Sequence, residues 1–365
     1  MRQTLVGELT AAVRFEKSAE VAEELWQKKG TLLPMKRVGS SQVWSTLRIE
    51  QDAPASTLRL TSTGDFMKST LMLAALIGTT MIGTASTVHA QELTGTLKKI
   101  KETNSITIGY RESSIPFSFL NDKQQPVGYA MDLCMKIVEA VKADLKLPAL
   151  KLMLQPVTSS NRIPLLNNGT IDLECGSTTN STVRQQQVAF GPTYFMINVT
   201  AAVKKTSNIN TIAQLNGKTV STTSGTTSVP LLKAYEKAGN TEVKEIYGKD
   251  HAEAFLLMAD DRAAAFVMDD ILLAGQIANA KKPGDYKILP ESLRQEPYSM
   301  MLRKDDPQFK ALVDKSIVAV MQSGEINQIY AKWFTTAIPP KGLNLNFPMT
   351  QPIKDAFKNP NDKGI

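Results

Sequence analysis

The feature that most constrains this chain is an alternation that starts over halfway along. From Gln91 onward, short β-like runs alternate with stretches carrying apolar residues at helical spacing, which is the pattern of an α/β domain. SITIGY (105–110) reads as a strand. GYAMDLCMKIVEAVKADL follows as a helix whose Ala130, Leu133, Cys134, Ile137, Val138 and Val141 share one face. LKLMLQPV alternates as a strand. SSNRIPLLNNG is a short helix with Pro164 in its first turn and Gly169 at its stop, and TIDLECG is a further strand.

The same order begins again at KTVSTTSGTTSVPLLKAYEKAG (218–239), a strand running through a Gly/Thr turn into a helix. In DHAEAFLLMADD, Asp250 and Glu253 hold the positions of a capping box, and AAAFVMDD reads as a buried strand leading into ILLAGQIANAKK. Two extended stretches, 194–205 and 297–304, fit two crossings between two lobes. Two closing helices, within DPQFKALVDKSIVAVMQSG and EINQIYAKWF, are expected to return to the first lobe. The expected division is 91–198 for the first part of lobe 1, 199–299 for lobe 2 and 300–365 for the rest of lobe 1. A hinged pair of such lobes opens a cleft at strand carboxyl ends and helix amino ends, where small ligands bind.

Composition narrows the class. Of 365 residues 42% are hydrophobic and 21% charged, the balance of a soluble globular chain. The net charge of +7 comes from scattered Lys and Arg, and only 6% of residues are aromatic, so a nucleic-acid groove is not indicated. The segment Met67–Ala90 has a Lys, an apolar run from Leu71 to about Ile82 and small residues ending in VHA. That is the layout of an export signal, with cleavage expected after Ala90. The run is too short and too broken by Gly and Thr for a bilayer-spanning helix, which needs about 20 apolar residues. A signal belongs at a chain start, so residues 1–66 are read as an over-extended N-terminus, with translation beginning at Met67. No Cys follows the apolar run to carry a lipid. The two cysteines, Cys134 and Cys175, lie beyond Ala90. Two buried free thiols are expected there, and a bridge is the alternative that export would permit.

YRESSIPFSF, SSNRIPLLNNGTIDLECGSTTN, TSGTTS, KDHAEAF, AFVMDDILLAG, MLRKDDPQFK and IPPKGLNLNF occur in that order from about Leu97 to the C-terminus. In them the chain resembles the periplasmic glutamate/aspartate-binding proteins of polar amino acid ABC importers, solute-binding protein family 3. The resemblance implies a two-lobed periplasmic binding protein type II fold, no cofactor, L-glutamate or L-aspartate as ligand, ABC transporter permease subunits as partners and a monomer in the periplasm. It further implies that Arg184 and Thr227 take the ligand's α-carboxylate, that Asp269 and Thr179 take its ammonium with Ser177 nearby, and that Arg111, Ser159, Arg162 and His251 surround its side-chain carboxylate. Tyr110, where a His often precedes RESS, and Cys134 depart from the family pattern.

These residue types suit the chemistry. A ligand with two carboxylates and one ammonium needs several cationic donors, at least one anion and hydroxyls, and a planar guanidinium binds a carboxylate through two parallel hydrogen bonds. TSGTTSV ends a strand and opens a helix, so its backbone N–H groups would face an anion. Simpler roles compete: surface ion pairs for the arginines, a helix-cap neighbour for His251, and turn or cap positions for the Asp269-Asp270 pair, of which Asp270 is assigned as the cap. A dehydratase or lyase acting on a small carboxylic acid is the alternative function, with Glu174 as its best-placed carboxyl. A Glu at a strand end is more often a structural acceptor. A sensory ligand-binding module is the third reading.

Overall fold

A computed structural model describes residues 92–239, 242–339, 341–342 and 344–365. The expectations for residues 1–66 and for the Met67–Ala90 segment lie outside them.

In chain order the first part holds α1 (Gly95–Thr103), β1 (Ser105–Tyr110), a small meander of β2 (Ser113–Ser114), β3 (Ser118–Leu120) and β4 (Pro126–Val127), then α2 (Tyr129–Leu145), β5 (Lys151–Pro156), α3 (Arg162–Asn167), β6 (Leu173–Cys175), α4 (Thr182–Gln185) and β7 (Val188–Phe190). The middle part holds β8 (Phe195–Lys204), β9 (Thr219–Thr223), α5 (Ser228–Lys237), β10 (Lys244–Gly248), α6 (His251–Ala259), β11 (Ala265–Asp269), α7 (Asp270–Asn279), β12 (Tyr286–Ile288) and β13 (Arg294–Tyr298). The chain closes with β14 (Met301–Arg303), α8 (Pro307–Gln322), α9 (Glu325–Phe334) and α10 (Gln351–Lys358).

Two sheets make two lobes. One has the order β5-β1-β6-β14-β7, the other β10-β9-β11-β8-β12 with β13 also on β8. Parallel pairing of β1 with β5 and β6, and of β9 with β10 and β11, is what right-handed βαβ crossovers produce. All five residues of β11 are buried, so that strand reads as a near-continuous apolar run rather than an alternation. The apolar face of α2 buries Leu133, Cys134, Ile137, Val138 and Val141, and α8 packs along that helix with Phe309, Val313 and Ile317 buried. The next helix, α9, packs on both α8 and α2.

The chain passes between the sheets from Phe190 to Phe195 and again from Tyr298 to Met301. These passages are shorter than the extended stretches read from the sequence, because the whole of 195–204 is β8, an interior strand of the second sheet. The two passages run side by side: Gly191 N–H donates to Met300 O at 2.9 Å and Tyr194 N–H to Tyr298 O at 2.9 Å. Aromatic rings gather around them, with Phe117 and Phe195 at 4.9 Å between centroids, Phe195 and Phe334 at 4.8 Å, and Phe117 and Tyr298 at 5.2 Å.

The cysteines correct the expectation of free thiols. Cys134 on α2 and Cys175 at the end of β6 are bonded as a disulfide, with 6.2 Å between their Cα atoms. The helix lies on the sheet with its Cys134 face against β6, so two thiols that each look like buried apolar residues are brought into bonding range. A second correction concerns Asp270. It is the first helical residue rather than the cap, and its carboxylate accepts from Ile271 N–H at 2.8 Å and from the Asn198 amide at 3.0 Å.

Candidate functional site

Each sequence-proposed site residue sits at the end of a strand or the start of a helix. Arg111 directly follows β1, and Ser159 and Arg162 lie at the entry to α3. Ser177 and Thr179 follow β6, while Arg184 is in the short α4. From the second sheet, Thr227 is the N-cap of α5, His251 opens α6 and Asp269 ends β11. All but Thr227 are buried, at 9% relative exposure or less, which is unusual for so many charged and polar groups at once.

The two lobes meet here directly. The Arg111 guanidinium approaches His251 Nε2 at 3.4 Å, and Arg184 Nη2 donates to Gly225 O at 3.1 Å. Gly225, at φ +77°, lies so close to the α3 entry that a Cβ on it would fall 2.7 Å from Ser160 Cα. No residue with a side chain fits there without displacing backbone.

At one end of the site, Arg162 Nη1 donates to Ser177 O at 3.3 Å and to the Thr178 hydroxyl, and it stands 3.8 Å from Glu174 Oε1. Thr178 in turn donates to Glu174 Oε2 at 2.6 Å, so Glu174 is held as a structural acceptor. His251 Nδ1 is 2.9 Å from the Thr223 hydroxyl, and the Ser177 hydroxyl donates to that of Ser114 at 3.2 Å. Burial, then the neighbouring Arg162, bring the Arg111 pKa down to about 10, leaving it a cation at neutral pH. Burial first, then Arg111 and Arg162, hold His251 well below its usual range. His251 is therefore a neutral imidazole here.

At the other end, Arg184 Nη1 donates to Thr179 O at 2.9 Å, and the Ser181 hydroxyl caps α4 by accepting from Arg184 N–H. Burial and Arg162 lower the Arg184 pKa to about 9. Asp269 Oδ2 accepts the phenolic hydroxyl of Tyr298. Burial, then the nearby Glu296, push the Asp269 carboxyl up to about 8. Glu296 is fully buried; its Oε2 accepts from the hydroxyls of Thr179 at 2.7 Å and Thr227 at 2.6 Å, and its Oε1 from Arg294 at 2.6 and 2.9 Å.

The structure therefore joins Arg111 with His251, Arg162 with Ser177, Arg184 with Thr179, and Thr179 with Thr227, whose hydroxyls are 3.5 Å apart. Asp269 adjoins this second group through Tyr298 and the charge of Glu296. Ser159 is buried at the α3 entry with no hydrogen-bonded tie to the others. Glu296 and Tyr298 were missed by the sequence reading. Their signal was the period of two in RQEPY, which puts Arg294, Glu296 and Tyr298 on one face of β13. Several polar atoms in the site are buried with no hydrogen-bond partner among the described residues: Arg111 Nη1, Arg162 Nε, Ser159 Oγ, Glu174 Oε1 and Asp269 Oδ1.

Known proteins share this sequence and fold. The L-glutamate/L-aspartate-binding protein of Pseudomonas aeruginosa is 50% identical over 298 residues, covering 81% of this chain and 96% of its own. The glutamate/aspartate import solute-binding protein of Escherichia coli (strain K12) is 48% identical over 270 residues, covering 74% of this chain and 89% of its own. The solved cysteine-binding protein of Campylobacter jejuni superimposes with a TM-score of 0.58 at 25% identity, over 66% of this chain and 93% of that one. The profile of the bacterial extracellular solute-binding proteins, family 3, matches residues 106–336, and the chain belongs to that family.

Proposed function

We propose that this protein captures L-glutamate or L-aspartate outside the cytoplasm, in the cleft between its lobes, and hands it to the permease subunits of an ABC importer. In this reading Arg184 and the amino end of α5 at Thr227 take the α-carboxylate. Asp269 and Thr179, with Ser177 nearby, take the ammonium. Arg111, Ser159, Arg162 and His251 surround the side-chain carboxylate.

The observation that carries the reading is the inventory of buried atoms without partners. Arg111 Nη1, Arg162 Nε and Ser159 Oγ can donate, while Asp269 Oδ1 accepts. Leaving such groups unpaired costs about 1–3 kcal/mol each, more when charged, so a native protein keeps them where a ligand completes them. Cationic donors call for a carboxylate and Asp269 Oδ1 for an ammonium, while Glu174 Oε1 faces the Arg162 guanidinium at 3.8 Å. His251, held neutral, adds a hydrogen bond without a charge. The names of the two half-identical relatives, a glutamate/aspartate-binding protein and an import protein, support transport over turnover.

The reading extends to the rest of the chain. The Met67–Ala90 segment acts as an export signal cut near Ala90, residues 91–198 and 300–365 form one lobe and 199–299 the other, and the protein works as a monomer. Mass spectrometry of the small molecule that co-purifies from the periplasm tests the ligand, with calorimetry of the stripped protein against all common amino acids. Glutamate or aspartate is expected. Retention of a basic or neutral amino acid in preference to both would refute the assignment.

A further inference from the structure

The two threonines assigned to the ligand have their hydroxyl protons already committed. Thr179 belongs to the first lobe and Thr227 to the second, yet both donate to the same oxygen, Oε2 of Glu296. A hydroxyl has one proton and two lone pairs. With the proton spent on Glu296, each threonine has only lone pairs left to offer. Lone pairs suit an ammonium and oppose a carboxylate.

Glu296 is itself held so that this polarity cannot reverse. Its other oxygen accepts two hydrogen bonds from Arg294, from Nε at 2.9 Å and Nη2 at 2.6 Å. Both N–H donors converge on that one oxygen and leave the second to the threonines. Glu296 lies on β13 two residues from Tyr298, which donates to Asp269, so one strand face organises both acceptor groups. β8 runs between β11, which carries Asp269, and β13, which carries Glu296.

We infer that Glu296 is a positioning residue for the ligand's α-ammonium: by taking the hydroxyl protons of Thr179 and Thr227 from opposite sides of the cleft, it turns both threonines into acceptors aimed at that group. This rests on the reading of the cleft as an amino-acid site and moves the Thr227 hydroxyl from the carboxylate to the ammonium. The α-carboxylate is then left to Arg184 and to the backbone N–H groups opening α5.

Glu296→Gln tests it, because an amide has one acceptor end and one donor end. Arg294 must face the oxygen, so the NH2 is turned toward the threonines, which then accept from it and direct their own protons into the cleft. Donors would meet the ammonium. Calorimetry with glutamate and with glutarate, which lacks the amino group, reads the effect as the ratio of the two Kd values. Wild type should prefer glutamate strongly, and the variant should lose at least tenfold of that preference. A purely structural role would weaken both ligands alike. Glu296→Asp keeps the charge while withdrawing the oxygen by one methylene, so it serves if the amide fails to fold, and the same loss of preference is expected. A ratio within twofold of wild type in either folded variant overturns the inference. If glutamate and aspartate both fail to bind wild type, the proposed function falls. The pair is then the amino acid that does bind and its deaminated acid, on which the same ratio judges Glu296 separately.

Discussion

Replacing glutamate by glutamine changes little in shape and everything in charge at one end of the ligand. Arg111 Nη1 and Arg162 Nε are buried donors without hydrogen-bond partners among the described residues, on side chains exposed by no more than 2%. A carboxylate presents only acceptors to them. An amide turns an NH2 toward one of the two and leaves a buried cation without counter-charge. Losing one member of a buried, hydrogen-bonded charge pair costs about 2–5 kcal/mol. That corresponds to roughly 30- to 5,000-fold in affinity, so calorimetry should find glutamine weaker than glutamate by at least the lower figure. Removing Arg162 should narrow the gap, but the geometry dictates how. Arg162 Nη1 also faces Glu174 at 3.8 Å, and its simple loss would leave a fully buried carboxylate unpaired, a fault worth about 3–5 kcal/mol of stability. Arg162→Met combined with Glu174→Gln removes both charges and isolates the ligand effect. Glutamate should weaken strongly in that double variant, and glutamine much less. Arg184→Ala should weaken both ligands alike, because the α-carboxylate is common to them. Equal affinity of wild type for glutamate and glutamine, or unchanged selectivity in the double variant, would refute the reasoning.

Ligand affinity should rise with pH across neutrality. The Asp269 carboxyl is pushed up to about 8 by burial and then Glu296, so its contribution to stability is fully present below the ordinary carboxylate range and is lost as pH climbs toward 8. An arriving ammonium favours the ionised form, so binding should release a proton near pH 7. A binding enthalpy independent of the buffer's ionisation enthalpy would exclude this. Gly225→Ala should weaken ligand binding at least tenfold by holding the lobes apart, since its Cβ would meet Ser160 backbone, and solution scattering at saturating ligand should show a larger radius than wild type. Cys134→Ser with Cys175→Ser opens a closure of 41 residues and should cost about 2–4 kcal/mol of stability in denaturant unfolding, with ligand affinity nearly unchanged. A variant as stable as wild type would remove the bridge from the account of stability.

Much of the fold was legible in the sequence because its signals are local. The 4-residue spacing of Leu133, Ile137 and Val141 marks the buried face of α2 in any context, and the Asp250 carboxylate accepts from Glu253 N–H at 2.9 Å as its position before α6 implies. Pro164 likewise falls in the first turn, and Gly169 just past the end, of a helix observed at Arg162–Asn167. The resemblance named the nine candidate site residues, and their place at strand ends and helix starts follows from the same local grammar. What sequence could not supply was pairing across distance. Cys134 and Cys175 each read as ordinary buried residues until α2 settles on β6, and no local pattern reports the distance between their Cα atoms. Glu296, beside Pro297, was given no role by the sequence. It became the hub of the cleft only because two lobes, folded from different parts of the chain, bring Thr179 and Thr227 to one of its oxygens. His251 similarly carries a neutral ring because the fold buries it and then sets Arg111 and Arg162 near it. Charge state and hydrogen-bond direction depend on which groups meet out of water, and that is decided by tertiary structure alone.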